Sequence, residues 1–343
     1  MISKMREENN NIVGGTRIPE LDIMKLVGIV LVVVGHVTRM FTPQGLIPQA
    51  DNTGIMNILT KVIYSFHMPL FVFVSGMTFA LVATRRSNYH NIISFMRKKA
   101  MRLMIPYFSF ALLWVLPFMV GFGFRDLKSY LINGICLSLD SRHLWYVWML
   151  FNVFLLVYIL RIVINKVKLA PFFLLPISCI ILIFEMRWGG KIPYFQIDNS
   201  LVYQFWFILG YIAMIYRKYL NILFSILIIV VLGFMVFFIE YASLLYAFLG
   251  IYAIYLLSLR LTYLTRFTFI NKLNRNIFGI YLFHPVIIYL FFYYLDKSEI
   301  GVLPIIVSVV VISFILSFYL TELMRKLHLY LLIGEKRQNG KHK

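Results

Sequence analysis

The sequence predicts an all-α membrane protein, a polytopic helix bundle of about ten transmembrane helices with both termini in the cytoplasm. Of its 343 residues, 61% are hydrophobic and only 14% are charged, and the mean hydropathy of +0.83 excludes a soluble globular fold. A membrane-spanning helix needs about 20 mainly apolar residues. Ten runs approach that length, at residues 21–40, 62–82, 103–123, 144–164, 170–186, 201–216, 220–240, 241–259, 277–295 and 302–321.

The basic residues are distributed as this topology requires. With a cytoplasmic N-terminus, 25 of the 33 lysines and arginines fall on the cytoplasmic side and 8 on the outer side. Short cytoplasmic loops of membrane proteins carry such an excess. The net charge of +19 therefore follows from topology, and we expect no nucleic-acid partner. The chain divides into a cytoplasmic N-terminal tail (1–20), a membrane domain (21–321) and a basic cytoplasmic C-terminal tail (322–343).

The cysteines and histidines give no indication of a metal centre. The chain has two cysteines, Cys136 and Cys179, which are too few for a disulfide framework. No CxxC spacing and no histidine-rich tract accompanies them. We therefore expect neither structural zinc nor redox chemistry.

The first predicted helix carries the most informative polar residues, because ionisable groups at bilayer depth are costly and usually functional. Asp22, Lys25 and His36 interrupt an otherwise apolar run. Lys25 and His36 are eleven residues apart, which corresponds to about three helical turns, or roughly 16 Å, and to nearly the same helix face. Lys25 either belongs to a polar track across the bundle or extends its ammonium group to the inner lipid headgroups.

Histidines also interrupt the second and ninth predicted helices. His67 lies at a depth comparable with His36, so that both imidazoles can face one cavity in the outer half of the bundle. Pro69 and Pro285 each remove a backbone hydrogen bond close to a histidine, His67 and His284 respectively. Each histidine either serves the function or bonds to a neighbouring helix for packing.

Two clusters border the third and fourth predicted helices. On the cytoplasmic side, Lys98, Lys99 and Arg102 are suited to phosphate groups, or equally to anionic membrane lipids. On the outer side, Arg142 is followed by Trp145 and Tyr146. Such a combination of charge and aromatic rings fits a sugar, although an interfacial aromatic belt also accounts for the rings.

These residues together resemble the acyltransferase-3 family of integral-membrane sugar O-acetyltransferases, in particular its branch similar to fucose and exopolysaccharide O-acetyltransferases. The similarity covers nearly the whole chain and follows the order of the family motifs. It rests on five segments: residues 21–25 with His36, 64–71, 102–107, 144–146 and 276–285.

The resemblance implies transfer of an acyl group, usually acetyl, from cytoplasmic acetyl-CoA to a hydroxyl of a surface or exported glycan or its lipid-linked precursor. It also implies a location in a bacterial cytoplasmic membrane and no metal cofactor. His36 is the expected general base. His67 is expected to orient His36, to stabilise the oxyanion or to bind the acceptor, and an acyl-histidine relay remains a further alternative. The remaining candidates are Lys25, Lys98, Lys99 and Arg102 for the donor, and Arg142, Trp145, Tyr146 and His284 for the acceptor.

Two other functions compete with this interpretation. Ten helices and two proline-interrupted spans are also compatible with a transporter or flippase of a sugar or lipid-linked glycan, which would need no CoA. A more distant alternative is a non-catalytic membrane component that binds glycan or lipid. The sequence leaves the acceptor sugar and the oligomeric state open.

Overall fold

The computed structural model describes residues 17–43, 45, 53–85, 91–167, 170–220, 242–294 and 301–336. These residues contain no β-strand, and the predicted all-α fold is confirmed. The predicted seventh span, 220–240, lies almost wholly outside the described residues. The long helices of the described part are α1 Pro19–Arg39, α2 Thr53–Arg85, α3 Ile92–Phe110, α4 Trp145–Lys166, α5 Leu174–Trp188, α6 Ile197–Ile215, α7 Ala242–Arg260, α8 Thr268–Tyr294 and α9 Val302–Lys326.

Eight helical segments of the described residues are long and apolar enough to cross a membrane. They correspond to the first five and the last three predicted spans. The predicted sixth span forms the helix α6, but Asp198 and Gln204 reduce its hydropathy. Its second half is nevertheless almost wholly buried, so this helix is enclosed by other helices.

The third helix begins about three turns earlier than the sequence predicts. It begins at Ile92, where the Asn91 side chain accepts hydrogen bonds from the first backbone amides, and not at residue 103. The basic residues Lys98, Lys99 and Arg102 therefore lie on α3 itself. Beyond Phe110 the segment continues through a π-helical turn at Ala111–Val115 to Gly121.

The centre of the bundle is the contact between α2 and α6. A Cβ atom on Gly76 would collide with the backbone of Phe207, and a Cβ atom on Gly210 would collide with the backbone of Phe73. Small residues allow such close approach of membrane helices. Around this pair, α1 and α7 pack against α2, α4 and α5 pack against α6, and α8 and α9 pack together beside α1.

The connection between α3 and α4 has more structure than a loop. It contains helical turns at Leu127–Ser129 and Tyr130–Cys136. The Tyr107 hydroxyl, from within α3, donates to the carbonyl oxygens of Gly134 and Ile135, each at 3.0 Å. The connection therefore folds back against the third membrane segment.

Polar contacts identify one end of the bundle, which we call the basic end. Arg17, just before α1, pairs with Asp22 and donates to the side chain of Asn271 near the start of α8 at 2.6 Å. Glu20 pairs with Arg217, just after α6. The basic end thus contains the start of α1, the start of α8 and the end of α6. We call the opposite end, where α1 and α8 finish, the far end.

Candidate active site

Four histidines from four segments gather around the half of α1 towards the far end. The ring of His36 lies 5.2 Å, centroid to centroid, from His284 on α8. His284 in turn lies 6.1 Å from His143, which immediately precedes α4. On its other side, His36 lies 6.0 Å from Tyr64, and Tyr64 lies 4.8 Å from His67. We call His36, His67, His143 and His284 the histidine cluster.

The geometry around His36 depends on a close approach of α1 and α2. At Gly35, an added Cβ atom would lie 2.9 Å from Ile63 and 3.2 Å from the Tyr64 ring. This approach brings the Tyr64 hydroxyl to 3.5 Å from Nδ1 of His36, at the outer limit of a hydrogen bond. The Arg39 guanidinium lies 5.8 Å from the centre of the Tyr64 ring. Tyr64 therefore stands between His36 and His67.

Two histidines of the cluster are fixed by the backbone of their own helices. Nδ1 of His67 donates to the Ile63 carbonyl at 2.8 Å, and Nδ1 of His284 donates to the Ile280 carbonyl at 2.9 Å. A carbonyl oxygen only accepts, so the neutral rings carry their proton on Nδ1 and present Nε2 as an acceptor. Both side chains are buried, whereas His36 is only half-buried.

His143 and Tyr281 belong to the same site, although the sequence did not single them out. Nε2 of His143 donates to the Leu282 carbonyl at 3.2 Å, and the Tyr281 hydroxyl donates to the His143 carbonyl. The start of α4 is therefore bonded to the middle of α8. Only their sequence neighbours point to these two residues as members of the site. His143 is adjacent to the predicted site residue Arg142, and Tyr281 precedes the predicted site residue His284 by three residues, which is about one helical turn.

The predicted acceptor residues fall into two groups. Arg142 and His284 lie with the histidine cluster, and Tyr146 joins it because its ring is 5.7 Å from that of Tyr281. Trp145 packs against Tyr203 on α6, with 5.6 Å between ring centroids.

A cavity adjoins the cluster, and we call it the apolar cavity. Its walls are mostly apolar, with Arg142, His143 and Tyr289 as the polar exceptions. Because His143 contacts His284, and His284 contacts His36, the cavity leads to the histidine cluster. It is lined by Val115, Phe118, Met119, Phe124, Arg142, His143, Pro285, Val286 and Tyr289.

The predicted donor residues lie towards the basic end on α1 and α3. The Lys25 ammonium is 3.7 Å from Asp22, and Arg102 is near enough for electrostatic repulsion with Lys25. Arg102 is exposed and Lys98 is half-buried. The Lys99 ammonium lies 3.4 Å from the centre of the Phe154 ring, a cation–π contact that gives this side chain a structural partner.

Comparison with known proteins identifies the family. The model of the acyltransferase-3 family, described as an acyltransferase domain, matches residues 18–322. The chain belongs to the acyltransferase-3 family. It is also similar to the nodulation protein NolL of Mesorhizobium japonicum, with 30% identity over 140 residues, which are 40% of this chain and 35% of that protein. No solved structure matches the chain.

The family match confirms the resemblance predicted from the five motifs. It begins just before α1 and ends within α9, so the matched region contains the whole histidine cluster. In the part of the chain that the structure describes, no group of three or more His, Cys, Asp and Glu side chains is arranged to hold a metal ion. His67, His143 and His284 each donate to a backbone carbonyl oxygen, and His36 contacts the Tyr64 hydroxyl.

Proposed function

We propose that this membrane acyltransferase transfers an acetyl group from acetyl-CoA to a hydroxyl of a surface or exported glycan, or of its lipid-linked precursor. The observation that carries the proposal is the position of His36. It is the half-buried member of the histidine cluster, between the Tyr64 hydroxyl and the ring of His284. It is the most exposed of the four imidazoles, because His67, His143 and His284 are buried.

His36 acts as the general base in this proposal. A sugar hydroxyl is a poor nucleophile at neutral pH and needs a base within hydrogen-bond reach. With its Nδ1 proton directed to the Tyr64 oxygen, His36 accepts the hydroxyl proton on Nε2 while the sugar oxygen attacks the thioester carbonyl. The new carbon–oxygen bond forms, the carbon–sulfur bond breaks, and the proton passes to the departing CoA sulfur.

His67 is better suited to bind the acceptor than to stabilise the oxyanion. Its Nδ1 proton is committed to the Ile63 carbonyl, so the neutral ring offers only an acceptor at Nε2. An oxyanion requires a donor, whereas a substrate hydroxyl can donate to Nε2. His284 is fixed in the same way by the Ile280 carbonyl.

The donor is proposed to enter from the basic end, which faces the cytoplasm of a bacterial cell. In this proposal, Lys25 and Arg102 bind the phosphates of CoA, with the help of Lys98 and Lys99 on α3. About three helical turns, or roughly 16 Å, separate Lys25 from His36 along α1. An extended pantetheine arm is long and thin enough to cover this distance.

The test is transfer by matched histidine variants. Purified wild-type protein, His36→Gln and His328→Gln are incubated with acetyl-CoA and glycan from which the acetyl esters have been removed, and released CoA thiol is measured. His328 is an exposed histidine outside the cluster, so its variant controls for loss of an imidazole. We expect His36→Gln to lose about 10²- to 10⁴-fold in rate, with the control unchanged.

Wild-type transfer by His36→Gln would remove this residue from the mechanism. Mass analysis of surface glycans from cells that lack this protein distinguishes an acetyltransferase from a transporter. Loss of acetyl esters supports the enzyme. Intact esters with glycan precursor retained inside the cell would refute the proposal in favour of transport.

A further inference from the structure

A second, polar cavity lies in the connection between α3 and α4, and we call it the polar cavity. It is lined by Arg125, Ser129, Tyr130, Asn133, Gly134 and Asp140. Unlike the apolar cavity, its wall is formed almost entirely by groups that donate or accept hydrogen bonds.

The Tyr130 hydroxyl is the unusual group in this wall. The side chain is 1% exposed, and its oxygen has no hydrogen-bond partner among the described residues. Burial raises the pKa of Tyr130 well above its usual range, so the hydroxyl keeps its proton at neutral pH. A buried hydroxyl without a partner costs free energy, and proteins usually satisfy such groups.

Gly134 allows the tyrosine to occupy this position. A Cβ atom at residue 134 would lie 2.6 Å from the Tyr130 ring, so any larger side chain would displace the ring. The Tyr130 ring therefore packs against the backbone at Gly134, within the same helical segment. The position of the hydroxyl is fixed by packing and not by a hydrogen bond.

The charges of the polar cavity are already paired. The Asp140 carboxylate accepts from Arg125 at 2.9 Å and lies 3.4 Å from Arg142. Arg142 also lines the apolar cavity beside His143. The Asp140–Arg142 pair therefore joins the wall of the polar cavity to the wall of the apolar cavity, which His143 of the histidine cluster also lines.

We propose that the polar cavity binds a sugar unit of the acceptor glycan, with Tyr130, Asn133 and Asp140 as hydrogen-bonding partners. This rests on the proposed function, because it names a further subsite for the same acceptor. Sugar hydroxyls both donate and accept, and the three side chains together offer a hydroxyl, an amide and a carboxylate. A neutral sugar fits better than an anion, because Arg125, the cation in the wall of the polar cavity, already pairs with Asp140.

The experiment compares Tyr130→Phe with Tyr294→Phe. Tyr130→Phe keeps the ring over Gly134 and removes only an oxygen without a partner, so we expect the variant to fold. Tyr294 is 73% exposed at the end of α8 and provides the same chemical change outside the cavity. The probe is surface polysaccharide of the source cells, freed of acetyl esters with mild alkali and cleaved to oligosaccharides. Its dissociation constant is measured by calorimetry in detergent, without acetyl-CoA.

Loss of one hydrogen bond should weaken binding of the probe by Tyr130→Phe about 2- to 10-fold. Tyr294→Phe should bind as the wild type does. Equal affinities for wild type and Tyr130→Phe, or no binding by the wild type, would overturn the subsite. Competition by inorganic phosphate at millimolar concentration would overturn the assignment of a neutral sugar.

Failure of the subsite and failure of the proposed function are distinguishable. Under both proposals, the wild type transfers acetyl groups and binds the probe with an affinity that depends on Tyr130. Binding that depends on Tyr130, without acetyl transfer by the wild type, refutes the acetyltransferase and keeps the subsite. Acetyl transfer by the wild type, with affinity independent of Tyr130, refutes only the subsite.

Discussion

Replacement of Gly210 by alanine tests whether the contact between α2 and α6 holds the bundle together. The added Cβ atom would lie 2.8 Å from the carbonyl carbon of Phe73 and 3.0 Å from its Cα, and closer still to the carbonyl oxygen. Ordinary contacts of a Cβ atom begin at 3.4 Å. These atoms belong to a helix backbone and cannot rotate away, so α2 and α6 must separate by at least 0.6 Å, the difference between 3.4 and 2.8 Å.

The expected loss of stability follows from the packing between α2 and α6 that this separation disrupts. Phe73, Phe207 and Leu209 are fully buried at the contact. A gap of about 0.5–1 Å forfeits roughly a quarter to a half of the dispersion energy between facing atoms. Overpacking in a tight core costs about 1–3 kcal/mol. Because the obstacle is backbone, we expect Gly210→Ala to lower the free energy of unfolding by about 3 kcal/mol, at the upper end of that range.

Thermal unfolding in detergent, followed by circular dichroism, measures the effect. Gly121→Ala is the matched control, because an added Cβ atom there meets nothing within 4 Å. In a helix this control is expected to be neutral or slightly stabilising, since alanine has the higher helix propensity. Equal unfolding midpoints for the two variants would refute the close packing of α2 against α6.

Three further substitutions test other parts of the structure. Arg325→Met should lower the free energy of unfolding by about 2–3 kcal/mol. Loss of one partner of a fully buried ion pair costs roughly 3–5 kcal/mol, and the cost is smaller here because Glu335, at 2.5 Å from Arg325, is 28% exposed. An unchanged midpoint of thermal unfolding would contradict this prediction. Arg102→Ala should raise the KM for acetyl-CoA about 10-fold at constant kcat through loss of a phosphate contact, and equal KM values for this variant and the exposed control Arg97→Ala would argue against donor binding. Tyr64→Phe should lower kcat about 10-fold because His36 loses its orienting partner, and a wild-type rate would exclude that role.

Hydropathy was sufficient to predict most of the helices. The first span was predicted at 21–40 and the helix occupies Pro19–Arg39, because an uninterrupted apolar run leaves little freedom in its boundaries. The start of α3 was misplaced because Lys98 and Lys99 lower the hydropathy of the segment, although lysine is a good helix former. Hydropathy measures transfer to the membrane and does not report helix propensity.

The histidine cluster was only partly predictable, for a different reason. His36, His67 and His284 stood out because each is an ionisable group within an apolar run. The contact of His143 with the Leu282 carbonyl joins residues that are 139 positions apart. Its formation depends on how the connection between α3 and α4 folds back, and no local pattern encodes that path. For the same reason, the local sequence around Tyr130 gave no indication of a cavity.

In the proposed mechanism, the spacing of Lys25 and His36 along α1 limits which acyl donors can serve. Lys25 and His36 lie on one helix, and the packing of Gly28 and Gly35 against Phe71 and Tyr64 of α2 holds that helix in place. The rise from Lys25 to His36 is roughly 16 Å, so phosphates held at the basic end cannot also lie beside His36. A donor such as acetyl phosphate, whose acyl group is bonded directly to phosphate, cannot occupy both places at once. Acetyl-CoA can, because the pantetheine arm separates its thioester from its phosphates.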